Sequence, residues 1–407
     1  MTRDRPSPRQ AKQGAGRVPL EVFTLGVVSF LTDVSSETIF AVLPIYFVGV
    51  IGGTAAALGL MEGIADFAAS SLDLASGYAS DRTGRRKGLA LFGYGFSTLA
   101  KSLLLLVTSA AGVAAFRIIE RLGKSVRGAP RDALLASLAP KEKRGVSFGI
   151  HKAFDKAGAV LGPLSAYVVL DRFGSEPETF HGLFAAALVP AVLATAVLAF
   201  FVKDRTVAAP RRLGLRQTFA ALGGPYRRYL AATAVFSLGY FSFAFLVLKA
   251  GSVGFEPKEQ ALLYGLFNLV FTLVSVPIGR LGDRLGRRTI VVASYVVYGA
   301  MAAGFMWADS RTAVAALFVV YGVFYAMDEG QAKAFLADLS EDETRATAIG
   351  IYGFVTGLIY LPASLIAGIL WGYGPAWAFA FAVATSLAAL IVLMTSAELR
   401  RPLEARR

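Results

Sequence analysis

The fold this sequence predicts is an all-α integral membrane protein, with twelve transmembrane helices in two pseudo-symmetric six-helix bundles. Three observations predict it. Of 407 residues, 55% are hydrophobic and 17% charged, with a mean hydropathy of +0.57, whereas a soluble domain carries about 25% charged residues. Apolar stretches long enough for a hydrocarbon core of about 30 Å recur along the whole chain. A short basic turn occurs twice: Gly77-Tyr78-Ala79-Ser80-Asp81-Arg82-Thr83-Gly84-Arg85-Arg86 returns 202 residues later as Gly279-Arg280-Leu281-Gly282-Asp283-Arg284-Leu285-Gly286-Arg287-Arg288. Each copy lies between two apolar stretches, so the chain reads as two similar halves.

In order, residues 1–20 are polar and basic, without the apolar centre of a signal peptide, and are expected to form a cytoplasmic tail. Spans are expected near 22–48, 57–80, 88–110, 112–137, 145–170 and 181–202, making a first bundle over 21–202. A linker over 203–227 carries Pro210 and Pro225. Six further spans, near 228–249, 258–281, 289–309, 311–337, 345–371 and 375–397, make a second bundle over 228–397, followed by a tail over 398–407. The basic residues of the N-tail, of Arg82–Lys87, of Lys141–Arg144, of the linker and of the C-tail all fall on one side. The alternate loops near 49–56, 109–113 and 372–376 carry no charge. The positive-inside rule then places both termini in the cytoplasm of a plasma-membrane protein. The net charge of +13 is spent in these short loops, which argues against a nucleic-acid partner. A chain without cysteine has no disulfide or thiolate metal site, and two histidines do not make a metal centre. Nothing in the sequence calls for a cofactor.

The repeat extends beyond the turn. Arg144-Gly145-Val146-Ser147-Phe148-Gly149 aligns with Arg345-Ala346-Thr347-Ala348-Ile349-Gly350 at an offset of 201, which puts the fifth and eleventh spans in matching positions. Gly149, Gly158 and Gly162-Pro163 set small residues and a helix-bending proline along one stripe of the fifth span.

These residues resemble the major facilitator superfamily, over about 20–397. The turn carried by Gly77, Asp81, Arg82, Arg85 and Arg86, with its copy at Asp283 and Arg284, resembles the family's cytoplasmic latch between bundles. The stripe at Gly149, Gly158, Gly162 and Pro163 is similar to the motif of proton-linked exporters, with Ala166-Tyr167 where that motif prefers a glycine pair. Arg117-Ile118-Ile119-Glu120 resembles the family's basic motif on the fourth span, with Arg121 where the motif favours glycine. The resemblance implies a secondary transporter, working as a monomer by rocking of two bundles, and exchange in preference to symport.

Charges inside the spans point to the working parts, because an ionisable group at the bilayer centre costs about 2.5–3.5 kcal/mol on insertion scales. Asp33 and Glu37 lie one turn apart on the first span. The second span carries Glu62, Asp66 and Asp73, and the third Lys101. The fourth carries Arg117, Glu120, Arg121, Lys124, Arg127, Arg131 and Asp132, and the fifth His151, Lys152, Asp155 and Lys156. The second half is poorer, with Lys249, Asp328, Glu329, Lys333 and Asp338. Proton coupling is therefore expected in the first half, at Asp33 and Glu37 facing Arg117 and Arg121, with Glu120 beside them. A carboxyl that exchanges a guanidinium neighbour for a dry one changes its hold on a proton. Arg121, Lys124, Arg127, Asn268 and Gln331 are candidate substrate contacts. Arg131, with Lys124 and Arg127, is expected to meet Asp328 and Glu329 in a gate of ion pairs on the cytoplasmic side. His151 and Asp155, one turn apart, could relay protons. Tyr240, Phe241, Phe243, Phe245, Tyr264 and Phe267 read first as packing, with a pocket wall as the alternative.

The function expected is a proton-coupled antiporter exporting a small organic compound. The alternatives are a carrier of an organic or phosphorylated anion, for which the arginines would be the binding groups, or of a metal chelate or siderophore. A non-transporting sensor would carry a larger soluble part, and no nucleophile, zinc or nucleotide motif points to an enzyme or an ATP-driven pump.

Overall fold

The structure is a computed structural model describing residues 18–83, 86–140, 143–204, 222–340 and 345–395, with the backbone alone at 74, 77–83 and 345–347. The described chain is helical throughout. α1 is Leu20–Ile45 and continues as a wider π-helical turn, Tyr46–Val50. Then come α2 Ala55–Thr83, α3 Arg86–Leu104, α4 Ala110–Leu138, α5 Arg144–Phe173 and α6 Pro177–Phe201. The seventh span is broken into α7a, Gly224–Gly239, and α7b, Ala244–Ser252. α8 Pro257–Leu285, α9 Arg287–Trp307, α10 Arg311–Asp338, α11 Arg345–Tyr373 and α12 Pro375–Thr395 complete the chain. The expected spans are present in the expected order.

Ten spans are long and apolar enough to cross a membrane. Among the described residues α3 and α4 are the two more polar members of the twelve. On α4 the charges turn inward: Arg117, Glu120 and Arg127 are 6%, 0% and 3% exposed. Neighbouring helices surround them in place of lipid, which is how a polar span is tolerated.

The duplication is written in the hydrogen bonds. Ser109 caps α4 by accepting from the Gly112 amide, and Ser310 caps α10 by accepting from Ala313, both at 3.2 Å. Arg86 donates to the Ala133 carbonyl and Arg287 to that of Ala334, both at 3.0 Å. The spacing of each pair is 201, one less than the spacing of the repeated turn. The first turn has one more residue, since α8 and α9 are separated by Gly286 alone, whose φ of 88° suits glycine.

Within the first bundle α1 packs on α5 and α6, and α4 on α2 and α3. In the second, α9 packs on α10 and α12, α8 on α10, and α7a on α12. Two helix pairs make the main joint between the bundles, α2 with α11 and α5 with α8, and α1 adds smaller contacts with α8 and α7b. The first pair is in backbone contact: a Cβ on Gly63 would sit 2.8 Å from the Leu361 carbonyl oxygen, and one on Gly368 2.6 Å from that of Ala55. The motif glycines of α5 do a different job. A Cβ on Gly158 would meet the Phe30 carbonyl at 2.6 Å and one on Gly162 would meet Glu37 and Thr38 at 2.8 Å, so they seat α5 on α1 inside one bundle. Pro163 faces Gly265 of α8, and Gly149 faces open space.

We term the end where α1 starts and α12 finishes the near end. Among the described residues three side-chain hydrogen bonds cross between the bundles, all in the far half. Lys258 donates to Asp171 at 3.0 Å, the Tyr264 hydroxyl to Glu37 at 2.5 Å, and Ser242 to Glu62 at 3.2 Å. In the near half no hydrogen bond or ion pair joins described residues of the two bundles. Among the described residues the hydrogen bonds between the bundles are therefore gathered at the far end.

Candidate functional site

A cavity of about 500 Å³ lies between the bundles and reaches toward the near end. Its two walls differ in chemistry. The first-bundle wall is charged: Asp33 and Glu37 from α1, Glu62 and Asp66 from α2, Arg117, Arg121, Lys124, Arg127 and Arg131 from α4, and Lys152, Asp155 and Lys156 from α5. The α4 members recur every three or four residues, the period of one helix face. The second-bundle wall is aromatic. Tyr240, Phe241 and Phe243 come from the break in span seven, Tyr264, Phe267 and Phe271 from α8, Tyr321 and Tyr325 from α10, and Tyr352 and Tyr360 from α11. Asp328 and Glu329 are its acids, Lys333 its cation and Asn268 its amide. Interrupted spans are a recurrent way of building a mid-membrane binding site, because unwound backbone is allowed where it lines a cavity.

The arginines are already partnered, though not as the sequence suggested. Arg117 grips Glu62 through two hydrogen bonds of 2.8 Å, stands 3.8 Å from Glu120 and lies over the Phe40 ring at 4.3 Å. Arg121 pairs with Asp66. The expected partners Asp33 and Glu37 are elsewhere: Glu37 accepts from Tyr264 across the bundles, and Asp33 stands beside Asp155 and Lys124. The reason is direction. α2 and α4 run the same way, so Glu62 and Asp66 meet Arg117 and Arg121 rung for rung.

The expected gate of ion pairs is not formed. Arg131 bonds Asp132 at 3.0 Å and Ser29 at 3.1 Å, and stands 3.9 Å from Asp155. Arg127 donates to Ser97 at 2.5 Å and lies over Tyr94. Lys124, Asp328 and Glu329 make no ion pair among the described residues, because the open cavity separates them. The His151–Asp155 relay is also absent: the carboxylate of Asp155 is taken by Ser29, Arg131 and Lys152, while the Nε2 of His151 is buried without a partner. Glu120 is fully buried outside the cavity wall. Lys101, also behind that wall, donates to Ser35 and Ser36 at 2.9 Å. Asn268 lines the cavity and donates to the Tyr264 carbonyl. Gln331 does not, and belongs instead to a second crevice between α5 and α8.

Of the proposed latch, the side chains of Gly77, Asp81 and Arg82, and all of Arg85, lie outside the described residues. Arg86 and Arg287 tie their turns to α4 and α10, each inside its own bundle, and Arg287 also pairs with Asp338 at 2.6 Å and Asp283 at 3.9 Å. Arg284 follows Asp283 in the last turn of α8. Five of the six aromatics read first as packing line the cavity, Phe241, Tyr264 and Phe267 while also belonging to the buried core, and Phe245 packs in the core without reaching the cavity.

Sequence comparison agrees with this geometry. The Major Facilitator Superfamily profile matches residues 25–249 and 229–407. An uncharacterized MFS-type transporter of Methanocaldococcus jannaschii is 36% identical over 380 residues, covering 92% of this chain and 94% of that one. The multidrug resistance protein MdtG of Salmonella typhimurium is 26% identical over 283 residues, covering 66% of this chain and 68% of its own. The crystal structure of the nucleoside transporter NupG superposes with a TM-score of 0.73 at 12% identity, over 94% of this chain and 99% of that one. A duplicated six-helix frame, a charged cavity at the bundle interface and a profile match along the described helices have one reading: the chain is a multi-pass secondary transporter belonging to the Major Facilitator Superfamily.

Proposed function

We propose that the chain is a proton-coupled antiporter that exports a small aromatic organic compound, cationic or neutral, from a cytoplasm on the near side of the membrane. The observation that carries this reading is the contrast between the walls. Ten aromatic rings with Asp328 and Glu329 on the second bundle suit an aromatic or cationic guest. Two of the four opposing arginines are neutralised, Arg117 by Glu62 and Arg121 by Asp66, which weakens the case for an organic anion. The likeness to MdtG, a protein named for multidrug resistance, supports the same direction.

Proton exchange is assigned to Glu37 and Asp33. An ionised carboxylate accepts a hydrogen bond about twice as strong as a neutral one does. Ionised Glu37 therefore holds Tyr264, and with it α8, against α1 at the far end. An empty carrier that has released its proton stays closed there. Substrate pressing on the Tyr264–Phe267 face opens the far end and frees Glu37 of Tyr264, so the carboxylate takes up a proton from the far side. Reclosure of Tyr264 on ionised Glu37 during the return drives that proton off into the near-side cavity. Exchange follows from that order of events. Asp33 and Asp155, side by side, offer a second site at which a proton can be held.

The test is proton movement in sealed proteoliposomes challenged with aromatic cations. We expect Glu37→Gln to lose substrate-driven proton flux by about tenfold or more while retaining substrate-for-substrate counterflow. Asp328→Asn is expected to weaken cation binding itself. Undiminished proton flux in both Glu37→Gln and Asp33→Asn would sink the antiport reading. Tracer uptake of an organic anion with no proton signal would favour the anion carrier, with Lys124 as its binding group.

A further inference from the structure

Beside the central cavity lies a second space of about 940 Å³, between α5 on one side and α8 and α10 on the other. Its outer walls are small or apolar: Gly149, Ala153 and Ala157 from α5, Leu269, Val276 and Gly279 from α8. Leu269 and Val276 are 41% and 61% exposed on a membrane-spanning helix, so the mouth opens onto acyl chains, not water. The inner wall carries Lys152, Lys156 and Lys333 with one acid, Glu329, and Lys152 is also paired with Asp155 behind it at 3.3 Å. Lys156 and Lys333 have no ion pair among the described residues. Lys156 spans the two bundles with its ammonium 3.6 Å from the centre of the Phe271 ring. Both residues line the central cavity too, so this contact is the partition between cavity and crevice. Gln331 adds a carbonyl oxygen that is buried without a partner, on a residue 7% exposed.

We infer that this crevice is a binding site for an anionic phospholipid of the near leaflet. Its headgroup would lie against Lys152, Lys156 and Lys333, its hydroxyls within reach of Gln331, and its chains along α5 and α8. The excess of lysine chooses an anionic headgroup, since a zwitterionic lipid brings its own cation and leaves the lysines without counter-charge. The apolar walls choose a lipid over a free anion, which would leave that surface empty. The site does not presuppose which compound is transported, although Lys152, Lys156, Lys333 and Glu329 line both spaces. It also has a conformational consequence. The crevice is the gap between α5 and α8, and it disappears when the near end closes. A lipid seated there binds the near-open form alone and raises its population.

The experiment is lipid titration of the purified, delipidated full-length chain, read by native mass spectrometry. Phosphatidylglycerol is expected to bind about tenfold more tightly than phosphatidylcholine of the same chains. Lys152→Gln/Lys333→Gln is expected to bring it down to the phosphatidylcholine value. Equal affinities in the unmodified protein, or a preference that survives the double substitution, overturns the proposal. So does competition by glycerol 3-phosphate at a comparable concentration, which would assign the lysines to a soluble anion. The chain has no cysteine, so a Gly149→Cys/Gly279→Cys pair reports crevice width with no lysine altered. Phosphatidylglycerol should slow bridging of that pair by a short bis-maleimide, and equal rates in the two lipids count against the site.

Discussion

Arg117→Ala is expected to abolish transport and to destabilise the protein by about 3–5 kcal/mol, the usual consequence of removing one member of a buried ion pair. Arg117 is 6% exposed and Glu62 4%. Deleting the guanidinium leaves the Glu62 carboxylate with only the 3.2 Å contact from Ser242. It also leaves the fully buried Glu120 without its nearest cation on α4. Most of the damage is the stranded charge, so Arg117→Met/Glu62→Gln should recover much of the loss in stability. Thermal unfolding in detergent checks both variants. A single variant that melts with the unmodified protein, or a double that melts below the single, contradicts the assignment. Transport should stay impaired in the double, because Glu62 also reaches across the bundles to Ser242.

The pairing behind this prediction has a signature in the sequence. Glu62 and Asp66 are four apart, as are Arg117 and Arg121, and each acid precedes its arginine by 55 residues. Spans two and four of an alternating chain run in the same direction, so two such rungs can meet in register. Reasoning from charge alone assigned the arginines to Asp33 and Glu37, the acids nearest mid-membrane. The cavity aromatics were hidden for another reason. A tyrosine on a lipid-embedded helix has the same letter whether it packs, faces lipid or lines a cavity, and Tyr321, Tyr325, Tyr352 and Tyr360 converge only once α10 and α11 are placed. The spans and the duplicated turn were legible because hydrophobic length and positive loops are local signals. The break after Gly239 was not, since nothing in Tyr240-Phe241-Ser242-Phe243 is a helix breaker.

Gly63→Leu and Gly368→Leu are expected to have the second-largest effect, on conformation more than on stability. Each places a side chain where the α2 and α11 backbones already touch, with built Cβ atoms 2.8 Å and 2.6 Å from carbonyl oxygens of the other helix. Overpacking a close contact costs about 1–3 kcal/mol. This contact joins the bundles where the far end is shut, so the penalty falls on the far-closed form. A shift of that size changes the balance of the two forms by roughly 5- to 150-fold, and transport should fall by about tenfold or more. Bis-maleimide bridging across the near end measures it: with the far end held apart, a Gly149→Cys/Gly279→Cys pair should bridge faster. Unchanged bridging and full transport in Gly368→Leu would falsify the view that α2 and α11 close the far end. Gly158→Leu makes a useful contrast, because its clash with the Phe30 carbonyl is inside one bundle. It should lower stability without favouring either form.

The paired bonds at a spacing of 201, Ser109 with Ser310 and Arg86 with Arg287, show what the ancestral duplication kept and what it released. Caps and turn anchors survive in both copies because each half must still stand as a bundle. The residues between those anchors have drifted into opposite chemistries, ladders of acid and arginine in one half and stacked rings in the other. Inheritance has thus separated scaffold from lining. A ring can be exchanged for another on α10 or α11 without disturbing a single rung on α2 or α4. A carrier assembled this way can change its cargo while leaving its engine untouched.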